Sequence, residues 1–176
     1  MLRATIADDT KAFGELVTLH QSAVRGFLMR LCHDATLADD LAQETFLSAY
    51  RKLAGFRQTG AFSSWLFGIA YRSFLQHRRQ EKREREVQEE FRQLQIADTE
   101  FYEQLTPVQR ELERAIGQLE AREAAAISLN ISIGFSHSEV ATIMNLPLGT
   151  VKSLINRGLS KLRTALELPN ASERKK

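Results

Sequence analysis

The chain has 176 residues, 43% of them hydrophobic and 26% charged, which is ordinary for a globular protein of one or two small domains. Lys and Arg total 24 against 22 Asp and Glu, so the net charge of +2 does not by itself indicate nucleic-acid binding. The single cysteine, Cys32, excludes an internal disulfide framework and Cys-x-x-Cys zinc sites. With no export signal or long apolar run, we expect a cytoplasmic protein without membrane insertion.

The first half of the chain has the apolar spacing of three helices, and only 9 Gly and 3 Pro interrupt the whole sequence. A first helix is predicted over 8–33, with a start at Asp9 or Thr10 and a break near Gly26. A second is predicted from Thr36, whose hydroxyl would cap it, to Gly55. A short loop, 55–62, then leads to a third apolar helix with a highly charged tail over 78–92.

The segment 93–109 contains three acidic residues, no basic residue and little apolar periodicity, which predicts a flexible acidic linker. Helical patterning resumes at Leu112. The fold class predicted for the chain is therefore all-α, with two small helical domains. Their boundaries are 1–92 and 112–170, joined by a linker over 93–111 and followed by a basic tail over 171–176.

Residues 134–166 have the pattern of a helix-turn-helix. Gly134 can close the preceding helix, Ser136 and Glu139 form a capping box, and Pro147 breaks the chain before a second helix. That second helix has polar side chains near its start, as a recognition helix in the major groove does. From His137 onward seven basic side chains stand against three acidic ones, which suits a polyanion. The alternative is an ordinary helical hairpin with a solvated basic face.

Eight of the 14 aromatic residues lie between positions 46 and 74. For any one of these residues taken alone, packing in the core is the first interpretation. Aromatic side chains that flank a glycine-containing loop and precede a run of arginines could also stack on unpaired bases while the arginines hold the backbone.

Three segments carry a family resemblance: DDLAQETFLSAYRKLAGF (39–56), FSSWLFGIA (62–70) and GTVKS (149–153). Together they resemble the signatures of extracytoplasmic-function sigma factors, the two-domain group of the bacterial sigma-70 family. The resemblance spans about residues 8 to 166. It implies a factor that binds core RNA polymerase and directs promoter-specific transcription initiation, commonly under the control of an anti-sigma factor.

The resemblance also implies roles for particular residues. The first domain would bind polymerase and would recognise and melt the minus-ten element. The helix-turn-helix would read the minus-thirty-five element as duplex DNA. The linker would thread the polymerase channel. Polymerase contacts would come from Asp39, Asp40, Leu41, Gln43 and Glu44. Base capture and phosphate contacts would come from Phe56, Arg57, Phe62, Trp65, Arg72, Arg78, Arg79 and Lys82. Duplex contacts would come from Thr150, Lys152, Ser153, Asn156 and Arg157.

The sequence departs from the family pattern at four positions. The family usually has Asn and Asp where Arg72 and Gln76 stand, and arginines where Leu154 and Leu159 stand. Two fewer cations on the recognition helix would weaken DNA binding and lower its salt dependence. Leu154 is expected to lie off the apolar stripe and to be exposed, so this surface could instead meet a protein.

Two other functions stay open at this point. A sigma-like mimic could sequester an anti-sigma factor without starting transcription, and a stand-alone helix-turn-helix protein could regulate transcription. An enzyme is not expected, because no nucleophile elbow, phosphate loop or HExxH motif occurs. We expect no cofactor and no metal, and we interpret Cys32 beside His33 as a buried thiol near a helix end.

Overall fold

A computed structural model describes residues 10–56, 61–87 and 106–166. The chain divides into two compact units, Met1–Ala97 and Asp98–Lys176. Every regular element in the described ranges is helical. The all-α prediction with two helical domains is confirmed.

The first unit contains three long helices: α1 (Thr10–Cys32), α2 (Ala35–Lys52) and α3 (Phe62–Val87), with a 3-10 turn at Leu53–Gly55. The predicted break near Gly26 is wrong, because α1 runs through it. His33 ends α1 in the left-handed conformation, with φ of 55°.

The predicted cap of α2 at Thr36 is also wrong. Asp34, in extended conformation, accepts a hydrogen bond from Leu37 N at 2.9 Å and caps the helix. Because His33 turns the chain immediately before Asp34, the carboxylate reaches the free amides of the first turn two residues earlier than predicted.

The core of the first unit forms where the apolar faces of the three helices meet. The Phe27 and Phe67 rings meet edge to face with centroids 5.5 Å apart, and Thr45 satisfies its buried hydroxyl by donating to Leu41 O at 2.7 Å. Fully or nearly fully buried side chains come from every helix: Val24, Phe27, Leu28, Ala38, Leu41, Ala49, Leu66, Phe67, Ala70 and Phe74. This core fixes the outward faces of α2 and α3.

The second unit contains α4 (Pro107–Gly117), α5 (Ala121–Ile127), a π-helical turn (Ser128–Ser132), α6 (His137–Met144) and α7 (Leu148–Ala165). Helix α4 begins five residues before Leu112, so the predicted linker extends too far. Thr106 and Gln109 form a capping box there with proline at the first helical position, a start signal that the sequence interpretation missed. Linker residues 93–105 and the tail 171–176 lie outside the described residues.

The predicted helix-turn-helix is confirmed in its local chemistry. Ser136 Oγ accepts from Glu139 N at 3.3 Å, and Glu139 Oε2 accepts from Ser136 N at 2.9 Å, which completes the capping box of α6. Gly134 has a φ of +92°, as the preceding turn requires. Asn145 ends α6 in the left-handed conformation with φ of 52°, and Pro147 directly precedes α7.

One expectation about α7 is wrong: Leu154 is only 3% exposed. The apolar stripe of α7 includes positions Val151, Leu154, Ile155, Gly158 and Leu162. Leu154 lies three residues after Val151, and residues three apart share a helical face just as residues four apart do. It therefore belongs to the core and offers no surface to DNA or to a protein.

Gly158 allows α7 to lie close to α5. A Cβ atom at this position would lie 2.4 Å from Ile127 Cδ1 and 3.5 Å from Glu123 Cβ. Only glycine fits at such a distance without movement of the neighbouring side chain. The two helices are thereby brought together at the position where α7 carries its basic side chains.

Candidate functional site

Helix α2 presents an acidic surface that consists of Asp40, Gln43 and Glu44, all three exposed. Leu41, predicted to share this surface, is 4% exposed and packs in the core. Its role is to anchor α2, and the carboxylates and amide around it are what a partner can reach. An exposed acidic helix face suits docking on a basic surface.

A groove of about 310 Å³ runs beside the acidic surface, between α1 and α2. It is lined by Val17, Gln21, Ser22, Arg25, Asp39, Ala42, Gln43 and Phe46. At one side the Arg25 guanidinium binds the Asp39 carboxylate through two contacts, from Nε at 2.5 Å and from Nη2 at 3.2 Å. Asp39 is therefore paired with Arg25 within the molecule, whereas the side chain of its neighbour Asp40 is exposed to solvent.

Three aromatic side chains form a cluster around the start of α3. The ring centroids of Phe56, Phe62 and Trp65 lie 4.9 to 5.9 Å apart, and all three residues are half-buried. His20 of α1 joins this aromatic cluster, 5.6 Å from Phe62, and burial lowers the pKa of its imidazole. Because the three residues are only half-buried, part of their surface faces solvent.

A stripe of polar side chains follows Trp65 along α3. Arg72, Gln76, Arg79 and Arg83 are exposed, and their spacing of three or four residues keeps them within about 60° of one another around the helix. We call these four residues the α3 stripe. Arg78 and Lys82 are exposed as well, but lie roughly 80° or more away from Arg72 around the helix. Arg57 lies outside the described residues.

Helix α7 exposes all five side chains predicted to contact duplex DNA. Thr150, Lys152, Ser153, Asn156 and Arg157 are exposed and occupy the side of the helix opposite its buried stripe. Ser153 donates its hydroxyl to Gly149 O at 3.0 Å, so it has only acceptor capacity left for a partner. Helix α7 therefore has an exposed surface of mixed hydrogen-bonding and basic character.

Behind one flank of α7 lies a buried carboxylate. Glu123 is 1% exposed; its Oε2 lies 2.7 Å from Lys161 Nζ, and its Oε1 lies 3.8 Å from Arg157 Nε. Sequence reasoning missed His20, Arg25 and Glu123. These three residues act across helices, and no short-range pattern reveals such contacts.

Cys32 lies at the end of α1 and is half-buried. Burial, and to a smaller extent the Asp34 carboxylate, raises the pKa of its thiol to about 12. Among the described residues, no group of three His, Cys, Asp or Glu side chains is placed to hold a metal ion.

None of the helices in the described ranges is both long enough and apolar enough to cross a membrane.

Comparison with known proteins places both units in one family. Residues 16–84 match the model of sigma-70 region 2, and residues 103–162 match that of sigma-70 region 4. The RNA polymerase sigma-H factor of Pseudomonas aeruginosa is 33% identical over 177 aligned positions, covering 90% of this chain and 88% of the relative. The extracytoplasmic-function sigma-E factor of Haemophilus influenzae is 31% identical, covering 90% and 89%.

Solved structures agree with the sequence matches. The sigma factor RpoE of Bartonella quintana, solved with the anti-sigma factor NepR, superimposes with a TM-score of 0.79 at 26% identity, over 92% of this chain and all of that one. CnrH, solved with the cytosolic domain of CnrY, gives a TM-score of 0.68 at 25% identity, over 96% and 97%. The chain belongs to the extracytoplasmic-function sigma factors of the sigma-70 family.

Proposed function

We propose that this chain binds core RNA polymerase, directs it to particular promoters and opens the DNA there, and is itself held inactive by an anti-sigma protein. The observation that carries the proposal is that each family region presents its own set of accessible side chains: an acidic surface and a half-buried aromatic cluster in the first, and a polar, basic helix in the second. The chain would bind and open DNA, while the polymerase performs the chemistry. Polymerase and promoter both lie in the bacterial cytoplasm, where the chain would act.

The acidic surface of α2 is the proposed polymerase contact. Asp40 and Glu44 are exposed and four residues apart, so both carboxylates face the same partner. Arg25 neutralises Asp39, which leaves Asp40 and Glu44 as the attractive charges. Leu41 would support the contact from inside the fold.

Binding kinetics with core polymerase test this contact. The isosteric double variant Asp40→Asn, Glu44→Gln should associate more slowly, by a factor that shrinks as salt rises, because long-range attraction between charges speeds encounter and salt screens it. Glu15→Gln is the matched control: it removes an exposed carboxylate of α1 that does not line the groove. Equal effects of the two changes would contradict a specific contact at α2.

The aromatic cluster is the proposed site where a base flipped out of the minus-ten element stacks. The rings lie at stacking distance from one another, and the α3 stripe continues from Trp65 with three arginines that could hold the strand's phosphates. Arg72, which stands where the family usually has Asn, would then supply a phosphate contact. The contacts proposed for Arg78 and Lys82 would come from a different side of α3.

Open-complex formation tests the cluster. Loss of one stacking partner is worth about 1–3 kcal/mol, so Trp65→Ala should reduce the open fraction roughly 5- to 150-fold. A template with a pre-melted minus-ten bubble separates two steps, since it supplies the opening and leaves only base capture to the protein. A variant that behaves as wild type on both templates would refute the stacking role.

Helix α7 is the proposed reader of the minus-thirty-five duplex. Arg157 offers a planar donor that can bind a guanine edge with two hydrogen bonds, and Lys152 offers a point charge for phosphate. Arg157→Gln should therefore relax sequence preference, whereas Lys152→Gln should weaken binding to all duplexes and lower the salt slope by about one. Competition binding of holoenzyme with promoter and scrambled duplexes distinguishes the two effects.

Control by an anti-sigma protein is proposed from the structural neighbours. RpoE was solved in complex with the anti-sigma factor NepR. CnrH was solved in complex with the cytosolic domain of CnrY. An anti-sigma protein that covers the acidic surface would compete directly with polymerase. Co-purification of this chain from its own bacterium, followed by competition against core polymerase, tests whether such a partner exists.

A further inference from the structure

Glu123 is a carboxylate that is 1% exposed but still carries two ion-pair partners from another helix. Lys161 Nζ lies 2.7 Å from Oε2, and Arg157 Nε lies 3.8 Å from Oε1. Oε2 also lies 3.4 Å from Glu120 N, where it caps its own helix. One buried group therefore links the start of α5 to two cations of α7.

The two cations keep much of their surface in solvent. The side chain of Arg157 is 62% exposed and that of Lys161 is 49% exposed. They stand four residues apart on one flank of α7, on either side of Gly158, where the helix lies close to α5. Glu123 thus holds the Lys161 ammonium by a hydrogen bond and lies at ion-pair distance from the Arg157 guanidinium, most of which stays open to a partner.

This arrangement differs from an ordinary stabilising ion pair. A buried pair alone contributes little net stability compared with apolar residues of the same size. Here Arg157 belongs to the surface proposed to read DNA, and the Glu123 carboxylate at ion-pair distance favours the rotamers that keep its guanidinium on this flank of α7. An arginine held in one orientation loses less conformational freedom when it binds.

We infer that Glu123 is a positioning residue for promoter recognition, which orients Arg157 toward the duplex and withholds Lys161 from general phosphate binding. The inference rests on the proposed contact between Arg157 and DNA. It has two consequences. Without the carboxylate charge, Arg157 discriminates less between sequences, and Lys161 is released to contact any phosphate.

A double-mutant cycle in the reconstituted holoenzyme tests the inference. The proteins are wild type, Glu123→Gln, Arg157→Gln and the double variant, and the readout is the ratio of affinities for a promoter duplex and a scrambled duplex. Arg157→Gln should lower the ratio roughly 5- to 150-fold. Glu123→Gln should lower it roughly 2- to 10-fold in the wild-type background, with almost no further effect in the Arg157→Gln background.

The salt dependence of DNA binding distinguishes a positioning role from a purely structural one. A purely structural role of Glu123 would not make this dependence steeper. Release of Lys161 to phosphate should steepen the slope of log affinity against log salt for scrambled duplex by about 0.9 in Glu123→Gln. Lys161→Met, added to Glu123→Gln, should cancel that increase. General loosening of the fold would instead weaken binding to both duplexes.

A second variant covers the case in which Glu123→Gln fails to fold. Glu123→Met combined with Lys161→Met removes the carboxylate and its closest partner together, so no buried charge is left unpaired. Arg157 still loses its ion pair with residue 123, and the ratio of affinities for promoter and scrambled duplex should fall as in Glu123→Gln.

An unchanged ratio in a folded Glu123 variant, or equal losses in both Arg157 backgrounds, would overturn the inference. An unchanged ratio in Arg157→Gln would overturn the contact on which the inference rests. Run-off transcription by the same holoenzymes separates these outcomes from failure of the proposed function, which would abolish initiation with the wild-type chain.

Discussion

Replacing Leu154 by arginine would restore the residue type that the family usually has at this position of the recognition helix. If Leu154 were exposed, the new cation would add a phosphate contact and strengthen DNA binding. The structure leads to the opposite expectation, because Leu154 is 3% exposed and belongs to the stripe that packs α7 onto the rest of the second unit. An arginine there must either bury its charge or push the helix away from its neighbours.

The size of the effect follows from the burial. Truncating a buried leucine to alanine costs about 2–5 kcal/mol, and arginine adds a cation to the same apolar site. A loss of 2 kcal/mol would lower the melting temperature of a domain of this size by about 8–16 °C. Leu159→Arg is the matched control, since Leu159 is half-buried on the same helix and its replacement can reach solvent.

Thermal unfolding followed by circular dichroism, together with hydrogen exchange of the second unit, measures the effect. We expect Leu154→Arg to expose the amides of α7 and to lose duplex binding, while Leu159→Arg keeps the fold and steepens the salt slope of DNA binding. If Leu154→Arg melted like wild type and bound DNA more tightly, the assignment of Leu154 to the core would be refuted.

Three further predictions concern single side chains. Ser136→Ala removes the cap of α6 and should lower the free energy of unfolding by about 1 kcal/mol, measured by urea denaturation; no change would refute the capping role. Because burial lowers the pKa of His20 below 6.5, the unfolded chain binds the proton first, so stability should decline as the pH falls below 6.5, and His20→Gln should lose this component. The Cys32 thiol, with its pKa raised to about 12, should react with a thiol reagent at pH 8 at least roughly tenfold more slowly in the folded chain than in urea; equal rates would contradict its burial.

The sequence was most informative where structure depends on neighbouring residues. The capping box of Ser136 and Glu139, the left-handed Gly134 and the start of α7 after Pro147 all act within a few positions, and all are present as predicted. The misplaced cap of α2 shows the limit of this approach. Asp34 and Thr36 were both competent caps, and the left-handed turn at His33 decided between them.

The candidate site could be predicted only in part for a similar reason. The periodicity of the apolar residues identified which side of α7 is polar. It placed Leu154 outside the apolar stripe, although residues three and four positions apart lie on the same face of a helix. Contacts that join helices far apart in sequence have no local signature. The pairing of Arg25 with Asp39, across 14 residues, and of Glu123 with Lys161, across 38, became visible only in the folded chain.

Run-off transcription with purified bacterial core polymerase, on DNA from upstream of the protein's own operon, tests the central claim most directly. The account predicts initiation from defined start sites with the wild-type chain and with Glu15→Gln, and loss of these transcripts with the double variant Asp40→Asn, Glu44→Gln. If core polymerase neither bound the wild-type chain nor initiated with it, the account would be contradicted, and a mimic that sequesters an anti-sigma factor would explain the family resemblance instead.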